Sequence, residues 1–411
     1  MTEFAARLDQ YAALLVRVGI NLQPGQEVMV SGTLEHADLV RRVVEKSYDA
    51  GARRVHVRWE DPQVTRMTMA RADAGALAEY PVHLARWDEE ILAGGGAYIS
   101  IVGSDPKLLA GIDPARIASA SQAAARARQG VNAYISSLKA SWVVGAAPTK
   151  GWADLVVADR PEGERVDALW DYILQACRVT GEGDPVQAWQ VHLGRLNDRT
   201  EYLNRMRFAR LHFRAPGTDL TVDLPAGHLW VAGGAARNAQ GTPFCPNLPT
   251  EEVFTAPLRD GVNGTVRSTL PLNKGGSLIT GMTLRFERGR VVAYSAEQGE
   301  AVLKGILETD EGASYLGEVA LVPVSSPIYR TGVLFYNTLF DENASSHLAL
   351  GRAYPFNLEG GVAMSAEQQR AAGLNYSHEH VDFMIGSPEL DVDGETAAGE
   401  RVPLFRKGLW V

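Results

Sequence analysis

The chain has 411 residues and a formal net charge of −9, with 45% hydrophobic and 22% charged residues. That length exceeds one ordinary core and suits two domains of ~100–200 residues each. The acidic balance argues against nucleic acid or an anionic membrane as the main partner, because both select Lys/Arg clusters, and no window approaches the ~18–20 apolar residues of a membrane span.

The opening stretch MTEFAARLDQYAALLVRVG carries Glu3 and Asp9 where a signal peptide carries basic residues, so it reads as an amphipathic helix of the mature chain. Gly25 closes a turn, and VMVSG follows as a short buried strand. The stretch from His36 to Ala50 has helical spacing, with Leu39, Val43 and Ser47 on one side. Gly51 stands at a helix C-cap, and RRVHVRW is the next strand. This β-α-β unit predicts a parallel pair. GGAYISIVGS and SWVVG read as further strands, separated by helical ASASQAAARARQ. Residues 1–185 are therefore expected to form an N-terminal α/β domain. Gly94, Gly95 and Gly96 precede a strand instead of following one, so they form no dinucleotide fingerprint.

GEGDP at 181–185 is the linker candidate, and one more helix (DRTEYLNRMRFAR) follows it. From Leu211 the texture changes to short β-rich segments between Gly/Pro/Asn turns: LHFRAP, LTVDLP, TVRSTL, MTLRFERGRVVAY, EVALVPV and GVLFYN. Residues 186–411 are expected to form an α+β C-terminal domain with a mixed or antiparallel sheet.

The chemistry concentrates in this second half. If YSHEHVDFMIG is extended, His378, His380 and Asp382 share one face, and Val381 and Phe383 point to the other. Two imidazoles and a carboxylate on one face, followed by an apolar run, suit a metal-ligand strand or a solvated strand edge. Glu318 heads an otherwise apolar row with Ala320 and Val322, and a lone buried carboxylate is costly unless paired or metal-bound. His347 stands at the start of an apparent short helix in DENASSHLALG. Glu251 and Glu252, in NLPTEEVFTAP, point in opposite directions if extended, so one suits a metal and the other a water or substrate.

NLPTEEVFTAP, the strand with Glu318, the His347…Tyr354 segment and HVDFMIG together resemble the M29 family of metalloaminopeptidases, of the aminopeptidase T and aminopeptidase S type. The resemblance runs the length of the chain. It implies an α/β N-terminal domain, a metal-bearing C-terminal domain, a homodimer, and two divalent ions that serve the removal of N-terminal residues from peptides. Carried over by position, it implies Glu252, Glu318, His347, His380 and Asp382 as metal ligands, with Glu318 bridging, and Tyr354 as the active-site tyrosine. Tyr354 lies seven residues after His347, on the same face if that segment is helical. His378 has no assigned role.

On this reading a pair of ions ~3.5–4 Å apart holds and acidifies a water. Glu251 is the candidate general base, and Tyr354 donates to the developing oxyanion. The carboxylate-rich set suits Zn²⁺, Co²⁺, Mn²⁺ or Mg²⁺. An amidase acting on small amides, or a noncatalytic metal-containing peptide-binding protein, would use the same cluster. A serine hydrolase is disfavoured because there is no G-x-S-x-G elbow. Cys177 and Cys245 show no disulfide spacing and read as reduced thiols in a cytoplasmic protein.

Overall fold

A computed structural model describes residues 2–274 and 277–411. It divides into two compact units. The first comprises Met1–Leu193 and Gly234–Pro249; the second comprises Gly194–Gly233 and Thr250–Val411.

In the first unit, strands β1 (Glu27–Thr33), β2 (Arg54–Glu60), β3 (Ala97–Val102) and β4 (Trp142–Ala146) form a parallel sheet in the order β2-β1-β3-β4. This is the parallel α/β layer that the sequence predicted. β1 is buried on both faces, as parallel strands between helices are. Met29 packs with Ile91, Leu92 and Val131 on one side. The other side carries Val28 and Val30, and Val40 closes on Gly32 there. The helix Ala37–Asp49 buries Leu39, Val43 and Ser47 on its inner face, as their spacing predicts. Gly51 has φ +92, the left-handed conformation that a residue after a helix end adopts. The Gly234–Pro249 segment returns to β4, where Leu248 N–H donates to the Val144 carbonyl at 3.0 Å.

The second unit is antiparallel at every strand pair recorded among the described residues. Its strands are β5 (Arg210–Ala215), β6 (Thr218–Asp223), β7 (Val231–Ala232), β8 (Val253–Thr255), β9 (Val262–Arg267), β10 (Leu272–Lys274) and β11 (Ser277–Ile279). They continue as β12 (Thr283–Glu287), β13 (Arg290–Ser295), β14 (Leu316–Leu321), β15 (His347–Gly351), β16 (His380–Met384), β17 (Asp391–Glu395), β18 (Arg401–Arg406) and β19 (Leu409–Trp410). Eight form one sheet, β13-β12-β9-β6-β5-β17-β18-β19. Five form a second, β16-β15-β14-β8-β7, and β10 and β11 make a hairpin.

Two local expectations are corrected. GVLFYN forms no strand, because the Asp341 carboxylate accepts the N–H groups of Phe335 and Asn337 at 2.8 and 2.9 Å and curls the segment. His347 begins strand β15, not a helix. HLALG is held on both sides, by β14 and by β16, so the ladder overrides any local helical tendency.

Candidate metal centre

The five-stranded sheet brings the acidic and imidazole side chains together. Glu318, Ala349 and Asp382 are register partners across β14, β15 and β16, so they form one cross-strand row. His347 pairs with Ala320, and His380 with Gly351. The period of two puts Glu318, His347, Ala349, His380 and Asp382 on one face. Glu252 joins that face from just before β8, where Phe254 pairs with Ala320. Ala349, at the middle of the row, carries only a methyl group and leaves the space above it to its charged neighbours.

His347 Nε2 lies 3.3 Å from Glu252 Oε2 and 3.4 Å from Glu318 Oε1. His380 Nε2 lies 3.6 Å from Glu318 Oε2 and 3.4 Å from Asp382 Oδ1. Two donor groups result, Glu252–Glu318–His347 and Glu318–His380–Asp382, each with its ligand atoms within 4.8 Å of one another. Glu318 belongs to both and turns one oxygen to each.

The donor set fits divalent ions on three counts. His347 Nδ1 faces the Ser345 carbonyl at 3.2 Å and His380 Nδ1 faces the Arg352 carbonyl at 2.7 Å. Donation to a carbonyl keeps the proton on Nδ1 and leaves Nε2 as a lone-pair ligand. The buried Nε2 of His347 makes no aligned hydrogen bond. Separations of 3.3–3.6 Å are what two ligands ~2.1 Å from one ion span at roughly 100–120°, within the range of common coordination angles.

Glu342 is a further acidic group that the sequence reading did not single out. Burial, then the charges of Glu252 and Asp382, holds its carboxyl well above the usual carboxylate range. Its neighbour Asn343 is fully buried and accepts the Glu251 N–H at 2.7 Å, tying the Glu342 turn to the NLPTEE segment. One acidic residue in a polar stretch carries no periodic signal, so sequence patterning alone does not reveal it.

The electrostatics of the cluster are those of excess acid. Burial raises the Glu318 carboxyl, with Glu252 and Asp382 adding to the effect. Burial opposes a charged His347, but Glu252 and Glu318 outweigh it and the ring stays well above the usual histidine value. Burial likewise opposes charge on His380, yet Asp382 and Glu318 bring it up to about 9. Asp382 ends lower than usual because His380 outweighs its burial.

Tyr354 precedes a short turn, Pro355–Asn357, so the predicted helical relation to His347 does not exist. It reaches the cluster by another route: its ring centroid lies 4.8 Å from that of His380, and Phe356 stacks on it at 5.2 Å. Burial, reinforced by Glu318 and Asp382, raises its phenol pKa, so it remains a proton donor. Glu251 is buried but lies outside both donor groups. His378 is exposed, precedes β16, and packs edge-on against Tyr376.

A buried bed of carboxylates and imidazoles, one carboxylate shared between two donor groups, is the kind of site a metal-dependent hydrolase uses. The chain belongs to the thermophilic metalloprotease (M29) family, which it matches over residues 4–410. It is 49% identical to aminopeptidase AmpS of Bacillus subtilis over 410 residues, covering all of both chains. It is 46% identical to aminopeptidase T of Thermus aquaticus, again over the whole of both. The solved structure of wild-type AmpT from Thermus thermophilus superposes with a TM-score of 0.93 at 45% identity, covering 99% of this chain and 100% of that one.

Proposed function

We propose that this protein is a metal-dependent aminopeptidase that releases N-terminal residues from peptides. One observation carries the reading: Glu318 turns its two oxygens to His347 and His380, the nitrogen donors of two separate groups. Two divalent ions would be held by Glu252, Glu318 and His347 and by Glu318, His380 and Asp382. When bound, they supply Lewis acidity and lower the pKa of a water toward neutrality.

The chain's own groups do the rest. Glu342, which feels the charges of Glu252 and Asp382, is one candidate for the group that takes the water's proton. Glu251 is the competing base, placed by its N–H bond to Asn343. The Tyr354 hydroxyl donates to the oxyanion that develops on the scissile carbonyl. The acid cluster complements a free amine, which an acylated peptide lacks.

The proposed setting is the cytoplasm, where two buried thiols joined by no disulfide remain reduced. The resemblance to the family supports a homodimer, which sedimentation at micromolar concentration checks. The decisive experiment is dialysis against chelator, then assay on aminoacyl-anilides and their N-acetyl analogues after restoring Zn²⁺, Co²⁺, Mn²⁺ or Mg²⁺ singly. Metal-restored turnover of free-amine substrates alone supports the proposal. Equal turnover of N-acetyl analogues points to an amidase, and turnover that survives complete metal removal sinks the metal reading.

A further inference from the structure

A cavity of about 200 Å³ adjoins the second donor group, bounded by His380, Asp382, Met384, Leu272, Thr338 and Asp341. It follows the outer edge of β16, the last strand of its sheet. Ile385 N–H donates to the Ser346 carbonyl on the β15 side, whereas the Met384 carbonyl accepts from Thr269 N–H, both at 2.8 Å. Alternation then turns the N–H and C=O of Asp382 to the outer edge. The cavity thus meets both a metal-ligating side chain and a strand edge able to grip a substrate's main chain.

Its walls decide what fits. Lys274, on the cavity's hairpin wall, is neutralised by Glu379 at 2.6 Å. The Asp341 carboxylate is spent on the Phe335 and Asn337 N–H groups. The wall therefore offers no uncommitted charge from either residue; Leu272, Val381 and Met384 supply apolar surface, and Asn273, Asn337 and Thr338 supply neutral polar surface. A void of ~150 Å³ accommodates a benzene ring, so this one holds a single side chain of leucine or phenylalanine size. An aminopeptidase has one residue on the amine side of the scissile bond. That side needs a dead end, whereas the leaving side must admit a chain.

We propose that this cavity receives the side chain of the substrate's N-terminal residue, and that Thr338 and Leu272 set its size limit. The assignment rests on the aminopeptidase reading. Thr338 is exposed at the head of the turn Thr338–Asp341, so it tolerates enlargement. Wild type, Thr338→Phe and Leu272→Ala are assayed on Ala-, Leu-, Phe- and Trp-anilides and on an Ala-X dipeptide series, with metal content measured for each.

Thr338→Phe should lower the Leu:Ala and Phe:Ala ratios of kcat/KM at least tenfold. Leu272→Ala should raise the Trp:Ala ratio at least threefold. The Ala-X profile should keep its shape in both. Unchanged anilide ratios, or shifts confined to X, overturn the assignment while leaving the aminopeptidase reading standing. A metal-loaded wild type that releases no N-terminal residue from any probe overturns both.

Discussion

In the first unit Asp88 is fully buried, and two arginines answer it: Arg58, and Arg128 at 2.6 Å. Arg58 also donates to the Tyr98 hydroxyl at 2.7 Å, and both guanidiniums meet the same carboxylate oxygen, Oδ2, so the chain itself supplies the countercharge. In the second unit Glu252, Glu318, Glu342 and Asp382 crowd one region, and the groups paired with Glu252, Glu318 and Asp382 are two imidazoles. Four carboxyl groups against two imidazoles leave an excess of acid in a buried place, and burial with mutual repulsion raises the proton affinity of Glu318 and Glu342. A buried charge without compensation costs several kcal/mol. The first arrangement is a structural ion pair; the second is one that could hold metal. Burial of a carboxylate therefore says little until its partners are counted.

The contrast breaks most sharply at Glu318. Glu318→Gln should cut turnover on the order of 10³-fold, because it weakens both donor groups, and should lower bound metal. In chelated protein the same change should raise stability at neutral pH. Glu318 has a raised pKa, so its ionised form is the destabilising one, and that penalty grows as pH climbs through the folded value. Urea unfolding of the chelated variant that shows a clear loss would end the excess-acid account.

Asp88→Asn should do the reverse. It strands two largely buried guanidiniums, so urea unfolding should show a loss of about 3–5 kcal/mol, with metal content per folded chain unchanged. A neutral effect would mean that the arginines are solvated after all.

Tyr354→Phe should reduce kcat by about 10²-fold while metal content stays at the wild-type level. Full activity would remove the hydroxyl from the chemistry.

The smallest effect falls in the first unit. Burial brings His36 down to about 4, below its ordinary value. The folded protein resists protonation that the unfolded chain accepts, so stability is present above pH ~6.5 and is lost as pH falls toward 4. His36→Asn should flatten that slope by about 1–3 kcal/mol in pH-dependent urea unfolding of chelated protein, a condition that removes metal loss from the comparison.

Much of this was legible in the chain. β1, β3 and β4 followed from apolar runs, because a parallel strand buried between helices leaves a nearly continuous apolar signature, and the edge strand β2 followed from its position after Gly51. HVDFMIG showed its two-residue period, and β16 turns His380 and Asp382 to the face that the alternation predicted. Segments whose shape depends on distant partners were not legible. His347 became a strand because β14 and β16 hold it from both sides. GVLFYN lost its ladder to the Asp341 carboxylate.

The sequence alone determined which residue types were available, their periodicity, and the resemblance in NLPTEEVFTAP and HVDFMIG. The tertiary structure decided which of them meet: the register that sets Glu318, Ala349 and Asp382 in one row, the arrival of Glu342, and Tyr354 approaching His380 by a turn instead of a helix. The physical reason is that alternation is a local property of one strand. Register and the packing of irregular segments are set by hydrogen bonds and burial between residues tens of positions apart.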